Sequence, residues 1–213
     1  MRNDPTAYGR LHANWWDDAR LGISVGTWLD ADAGEHLRQR LEIGCRALAD
    51  RLGDNLPSER RALLERLART MPDLLRRYHT HRNVTIVHGD SHVWNCFLLR
   101  DGGNDARLFD WDAWRPQVPA VDLAYMMAMH WYPDRRRRLE RPLLDHYHKV
   151  LLAHGVSGYD RRTLDDDYRW AVLMHAATPV WQAAGQIPPV VWWHNLERIL
   201  MAVDDLGCEE FLV

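Results

Sequence analysis

The chain has 213 residues, 46% hydrophobic and 27% charged, so it can build a substantial core and is too apolar for general disorder. Its net charge of −3 excludes a protein made to coat nucleic acid, and no apolar run reaches the ~20 residues of a membrane helix. Three widely spaced cysteines (Cys45, Cys96, Cys208) without a CxxC pair fit a reducing compartment, not a disulfide scaffold or zinc site. The opening MRNDPTAYGR lacks the apolar core of a secretory leader, so a cytoplasmic protein is expected.

The first eighty residues read as helices. LHANWWDDARL places Leu11, Trp15 and Trp16 at helical spacing. A second helix is expected from Glu35 to Leu52, with Leu37, Leu41, Leu48 and Leu52 on one face. SERRALLERLART follows Pro57 as an amphipathic helix, and Pro72 should begin another. The character changes at Asn83. Val84 to Val87 is short, apolar and β-branched, a buried strand. Cys96 to Leu99 and Ala106 to Phe109 read as two more strands, joined by the turn residues Asp101-Gly102-Gly103-Asn104. A loop with Pro116 and Pro119 leads back to helices. These comprise an apolar Ala120–His130 and a helix opened by Asp134 with RRRR on its exposed face. A helix with Thr163 and Asp166 as a capping box should run through Trp181, and a last one from Val190 to Leu206. The expected fold class is α+β: one domain, mainly helical, with a small hairpin at its centre.

Chemistry concentrates in VHGDSHVWNCFLL and LFDWD. Asp90 sits in a loop directly after a strand, and Gly89 permits a tight backbone path. Asn95 precedes the second strand and Asp110 ends the third. If those strands pair, Asn95 and Asp110 share the open end of the hairpin, with Asp90 nearby. Hard oxygen donors gathered in this way suit Mg²⁺ held jointly with phosphates and water. Phosphoryl transfer needs one carboxylate to orient the nucleophile and two side chains to hold the metal on the phosphates. Taken singly, Asp90 and Asp110 could equally be residues that cap strand ends.

HGDxxxxN before an apolar strand, followed by DWD, resembles the catalytic core of the aminoglycoside phosphotransferase and choline kinase-like superfamily of small-molecule kinases. The resemblance implies a protein-kinase-like C-terminal lobe that moves the γ-phosphate of ATP to a hydroxyl of a small molecule, with Mg²⁺. It implies that Asp90 is the catalytic base, that Asn95 and Asp110 bind the metal, and that His88 supports the catalytic loop. Pro119-Ala120-Val121-Asp122-Leu123-Ala124 is similar to the family's P-x-x-D-L-A, in which Asp122 would brace that loop. Asp112 matches an acidic position of less defined role, and His92 stands at a position where the family often carries His. LHANWWDD is similar to the L-H-A segment that follows the family's N-terminal lobe. On this reading residues 84–122 hold the catalytic loop and metal site, and 123–206 the acceptor side.

The LHA segment begins near residue 10, with no Gly-rich loop before it, and the only lysine, Lys149, lies late in the chain. The expectation is an N-lobe-less chain whose nucleotide floor is Phe97, Leu99 and Phe109, and whose activity alone is weak or absent. Two other readings compete. His88, Asp90, His92 and Asp110 could form a metal-dependent hydrolase site, in which imidazole favours zinc, manganese or iron. The chain could also be a non-catalytic remnant, its uncovered face binding a partner lobe or a second copy. Trp170, Trp181, Trp192 and Trp193 could line an apolar acceptor pocket or simply pack a core. The acidic runs 165–167, 204–205 and 209–210 would suit a cationic acceptor or a solvated surface.

Overall fold

The computed structural model describes residues 5–30, 32–97, 106–185 and 187–212. In chain order the elements are α1 (Pro5–Asn14), α2 (Ala33–Leu52), α3 (Ser58–His79), β1 (Thr85–Val87), β2 (Cys96–Phe97), β3 (Arg107–Leu108) and β4 (Arg115–Gln117). There follow α4 (Ala120–Ala124), a π turn (Tyr125–Met129), α5 (Pro133–Ala153), α6 (Arg161–His175), α7 (Ala177–Ala184) and α8 (Pro189–Asp205). The fold is mainly helical α+β. No helix among the described residues is long and apolar enough to cross a membrane.

The chain forms two compact units. One comprises Met1–Trp28 with His81–Tyr168, the other Leu29–Thr80 with Arg169–Val213. In the first, α1 packs on α5, and the buried Val84, Ile86 and Val87 carry β1 into the core. Thr85 donates its hydroxyl to the carbonyl of His12 at 2.8 Å, tying β1 to α1. β1 pairs antiparallel with β4, with Ile86 opposite Pro116. Proline lacks the donor a central strand needs but is tolerated at an edge. That is why a segment expected to be loop is a strand here. β2 pairs antiparallel with β3, Cys96 opposite Leu108; the turn expected at 101–104 lies outside the described residues.

RRRR is not uniformly exposed. Arg136 is only 1% exposed and pairs with Glu140 at 2.9 Å. The reason is periodicity: Arg136, Glu140, Leu144, Tyr147 and Leu151 form the buried stripe of α5. Lys149 lies on the exposed face of the same helix.

In the second unit, α2 packs on α3 and α7, and α7 on α8. α3 runs unbroken through Pro72, where a new helix was expected. Leu67, Ala68, Met71, Leu74, Leu75 and Tyr78 continue one buried stripe across the proline, and this burial outweighs its cost of about 3 kcal/mol. Gly34 of α2 leaves room for it, since a Cβ there would lie 3.0 Å from the Pro72 Cα. Trp170 and Trp192 are buried, and Trp170 donates Nε1–H to the Leu74 carbonyl at 2.9 Å, so these two serve packing. Asp204 pairs with Arg60 and Glu209 with Arg66, which commits acidic groups considered for a cationic acceptor. In the first unit the helix expected to be capped at Thr163 is capped instead by Asp160, whose Oδ1 accepts from Thr163 N at 2.7 Å.

Candidate active site

β1 ends at Val87, and the next residues turn sharply. Gly89 has φ +82°, and a Cβ there would lie 2.2 Å from the Ala113 carbonyl oxygen. Only glycine fits this path. The turn is held from below by Asp122, which is fully buried at the start of α4. Its Oδ2 accepts from His88 N at 2.7 Å and its Oδ1 from Gly89 N at 2.9 Å. Its backbone carbonyl accepts from Ser91 Oγ at 2.6 Å. His12 Nε2 lies 3.2 Å from Asp122 Oδ2, and His12 Nδ1 lies 2.8 Å from the Tyr147 hydroxyl. Burial pushes the Asp122 carboxyl up, but His12 and the two backbone amides outweigh it, so the group sits below its ordinary range.

His88 is buried with both nitrogens engaged. Nδ1 accepts from Asp90 N at 3.3 Å, and Nε2 donates to the Phe109 carbonyl at 2.9 Å. Its ring also packs on Trp111 at 4.7 Å. No nitrogen remains for a metal, which removes His88 from the hydrolase constellation. Among the described residues no group of three or more His, Cys, Asp and Glu side chains is arranged as a metal site.

Asp90 is half-buried and accepts from Asn95 Nδ2 at 2.9 Å. His92 Nε2 lies 3.3 Å from the same oxygen. Tyr125 also hydrogen-bonds the carboxylate. The His92 bond above all, with help from Tyr125 and Asn95, lowers Asp90 to about 2 against the opposing effect of burial. The same bond raises the His92 imidazole. Such a carboxylate stays ionised, and its strength lies in orienting a hydroxyl.

Asn95 spends its amide N–H groups on Asp90, at the carbonyl (3.0 Å) and the carboxylate. That leaves Oδ1 as its donor to a cation. Its carbonyl accepts from Phe109 N at 3.2 Å, extending the β2–β3 register by one step. Asn95 and Asp110 therefore share one end of the ribbon. Asp110 is exposed, with φ +64°, and its charge reaches His92. An aspartate in the left-handed region is uncommon, and such strain gathers at functional sites. An amide oxygen and an exposed carboxylate beside a bound carboxylate fit Mg²⁺, which takes one or two protein oxygens and shares the rest with phosphate and water.

The surroundings are aromatic. Phe97 and Phe109 stack at 4.5 Å, with Phe97 66% exposed. Trp94 is 71% exposed, its ring 5.3 Å from His92 and 6.1 Å from His130. Leu99 lies outside the described residues, and Asp112 is exposed in the turn after Trp111. Sequence reasoning did not find His12, Tyr125 or His130. The LHA segment signalled the first only as a likeness, and nothing signalled the other two.

Comparison with known protein families places the chain in the small-molecule kinase-like superfamily. The family model of the ecdysteroid kinase-like family matches residues 26–156, more than half of the chain, and the chain belongs to that family. None of the curated proteins matches it.

Proposed function

We propose that the protein transfers the γ-phosphate of ATP to a hydroxyl of a small molecule. The observation that carries this reading is the meeting of Asp90, Asn95 and Asp110 at one end of the β2–β3 ribbon. Asp90 orients the acceptor hydroxyl and takes its proton as the acceptor oxygen bonds the γ-phosphorus and the bond to the departing ADP breaks. Asn95 Oδ1 and Asp110 hold Mg²⁺, which offsets charge on the phosphates. Phe97 and Phe109 offer an apolar face to the adenine. Asp122 and His88 keep the loop and the ribbon in register.

On this reading the chain supplies a kinase-like C-terminal lobe. The exposed Phe97 is where a covering lobe, a partner or a second copy of the chain would close over the nucleotide. Without such a cover, nucleotide binding is weak and turnover slow. The test is ³¹P detection of transfer from Mg-ATP to a panel of alcohols by the pure chain, with Asp90→Asn as control. Slow, Asp90-dependent transfer supports the reading. Micromolar ATP affinity with fast turnover overturns the expectation of weak activity. Transfer indifferent to Asp90→Asn overturns the assignment itself.

A further inference from the structure

We propose that Tyr125, where α4 passes into the π turn Tyr125–Met129, is a positioning residue for Asp90, and that the turn brings His130 in beside it. The functional consequence rests on the phosphotransfer reading above; the geometry does not.

In an α-helix, side chains meet three or four residues apart, and those five apart point to different faces. A π turn bonds residue i to i+5 and is found as a single widened turn. Here α4 runs straight into one, and Tyr125 and His130, five apart, come together. Their rings lie 4.9 Å apart, and His130 Nδ1 lies 2.7 Å from the Tyr125 carbonyl oxygen. His92 of the catalytic loop packs against both, at 6.4 Å from Tyr125 and 5.7 Å from His130. Met126, Met127, Ala128 and Met129 are buried, so the turn is anchored in the core and cannot swing with the loop.

Among the described residues, three side chains hold the Asp90 carboxylate. Asn95 and His92 belong to the same short loop and move with it. Tyr125 alone comes from outside, on a buried helix. Asp122 fixes the loop on both sides of Asp90, at the His88 and Gly89 amides and the Ser91 hydroxyl, but none of its bonds reaches the Asp90 side chain. The phenol of Tyr125 therefore ties the reacting oxygens to the body of the unit. An acceptor hydroxyl must approach an oxygen of Asp90 to about 2.6–3.2 Å, so a carboxylate free to rotate loses productive encounters.

The experiment uses Tyr125→Phe in the full chain, which keeps the ring and removes the hydroxyl. Without any turnover, the ¹⁵N side-chain amide signals of Asn95, bonded to Asp90, should shift or broaden. In the presence of turnover, kcat should fall about 10–100-fold while both KM values stay within about twofold. Unchanged Asn95 signals overturn the inference, as does an unchanged kcat. A fall in kcat that comes with equal losses in KM and in melting temperature also overturns it, by assigning a merely structural role. If the natural chain shows no transfer, the phosphotransfer reading fails and the Asn95 signals alone decide the positioning. Should the variant not fold, 3-fluorotyrosine labelling gives the same decision: Asp90→Asn must move one ¹⁹F resonance, and its failure to do so overturns the contact.

Discussion

The imidazole of His88 donates to the carbonyl of Phe109 at 2.9 Å, so one buried side chain joins the loop that carries Asp90 to the arm that carries Asp110. His88→Ala removes that bond, the bond from Asp90 N, and the packing on Trp111. We expect a loss of about 2–4 kcal/mol from lost burial and broken hydrogen bonds. Denaturant unfolding checks the loss. On the phosphotransfer reading activity should disappear with it, because Asp90 and Asp110 no longer share a frame.

Gly89→Ala tests the backbone path. The new methyl falls 2.2 Å from the Ala113 carbonyl, at a φ of +82°. The strain alone is worth about 1–3 kcal/mol. A lower melting temperature together with lost activity is expected; a variant as stable and active as the natural chain contradicts the path described.

Asp122 gives a pH prediction. Its folded carboxyl titrates below its ordinary value because His12 and the amides of Gly89 and His88 overcome the effect of burial. The unfolded value is about 3.9. The folded chain thus takes up this proton less readily than the unfolded chain. The stability contributed is complete above the unfolded value and is lost as pH falls through the lower folded one. Asp122→Asn should lower the melting temperature at pH 7 and lose less on further acidification than the natural chain. Paired melts from pH 7 to pH 3 measure the difference, and parallel curves would rule out this role.

Much of the site was legible because its information is local. Gly89 before Asp90, a β-branched run before it and an apolar strand after Asn95 all lie between Val84 and Leu99. What failed was non-local or broke a familiar period. The partner of His12 is Asp122, 110 positions away. β4 was hidden by Pro116, since proline reads as loop unless the edge it lies on is known. Tyr125 and His130 stand five apart, a spacing that helical periodicity places on separate faces. Four adjacent arginines look like a solvated surface, which hides the burial of Arg136. The position of Glu140 one turn later was the available clue.

Trp94 separates binding from folding. It is 71% exposed and touches His92 and His130 beside Asp90. Trp94→Ala should change stability by no more than about 0.5 kcal/mol, as is usual for an exposed position. The acceptor KM should rise while the KM for ATP holds. Steady-state kinetics with each substrate varied in turn checks this; an unchanged acceptor KM would show that Trp94 does not meet the acceptor.

The left-handed backbone of Asp110 sets durability against chemistry. Glycine would occupy that conformation at no steric penalty, so Asp110→Gly should leave the chain as heat-resistant as before, or more so, and useless as a phosphotransferase. Engineering for robustness alone would erase the acid at this position. A library screened only for survival on heating should accumulate glycine at residue 110, whereas one screened for turnover should not.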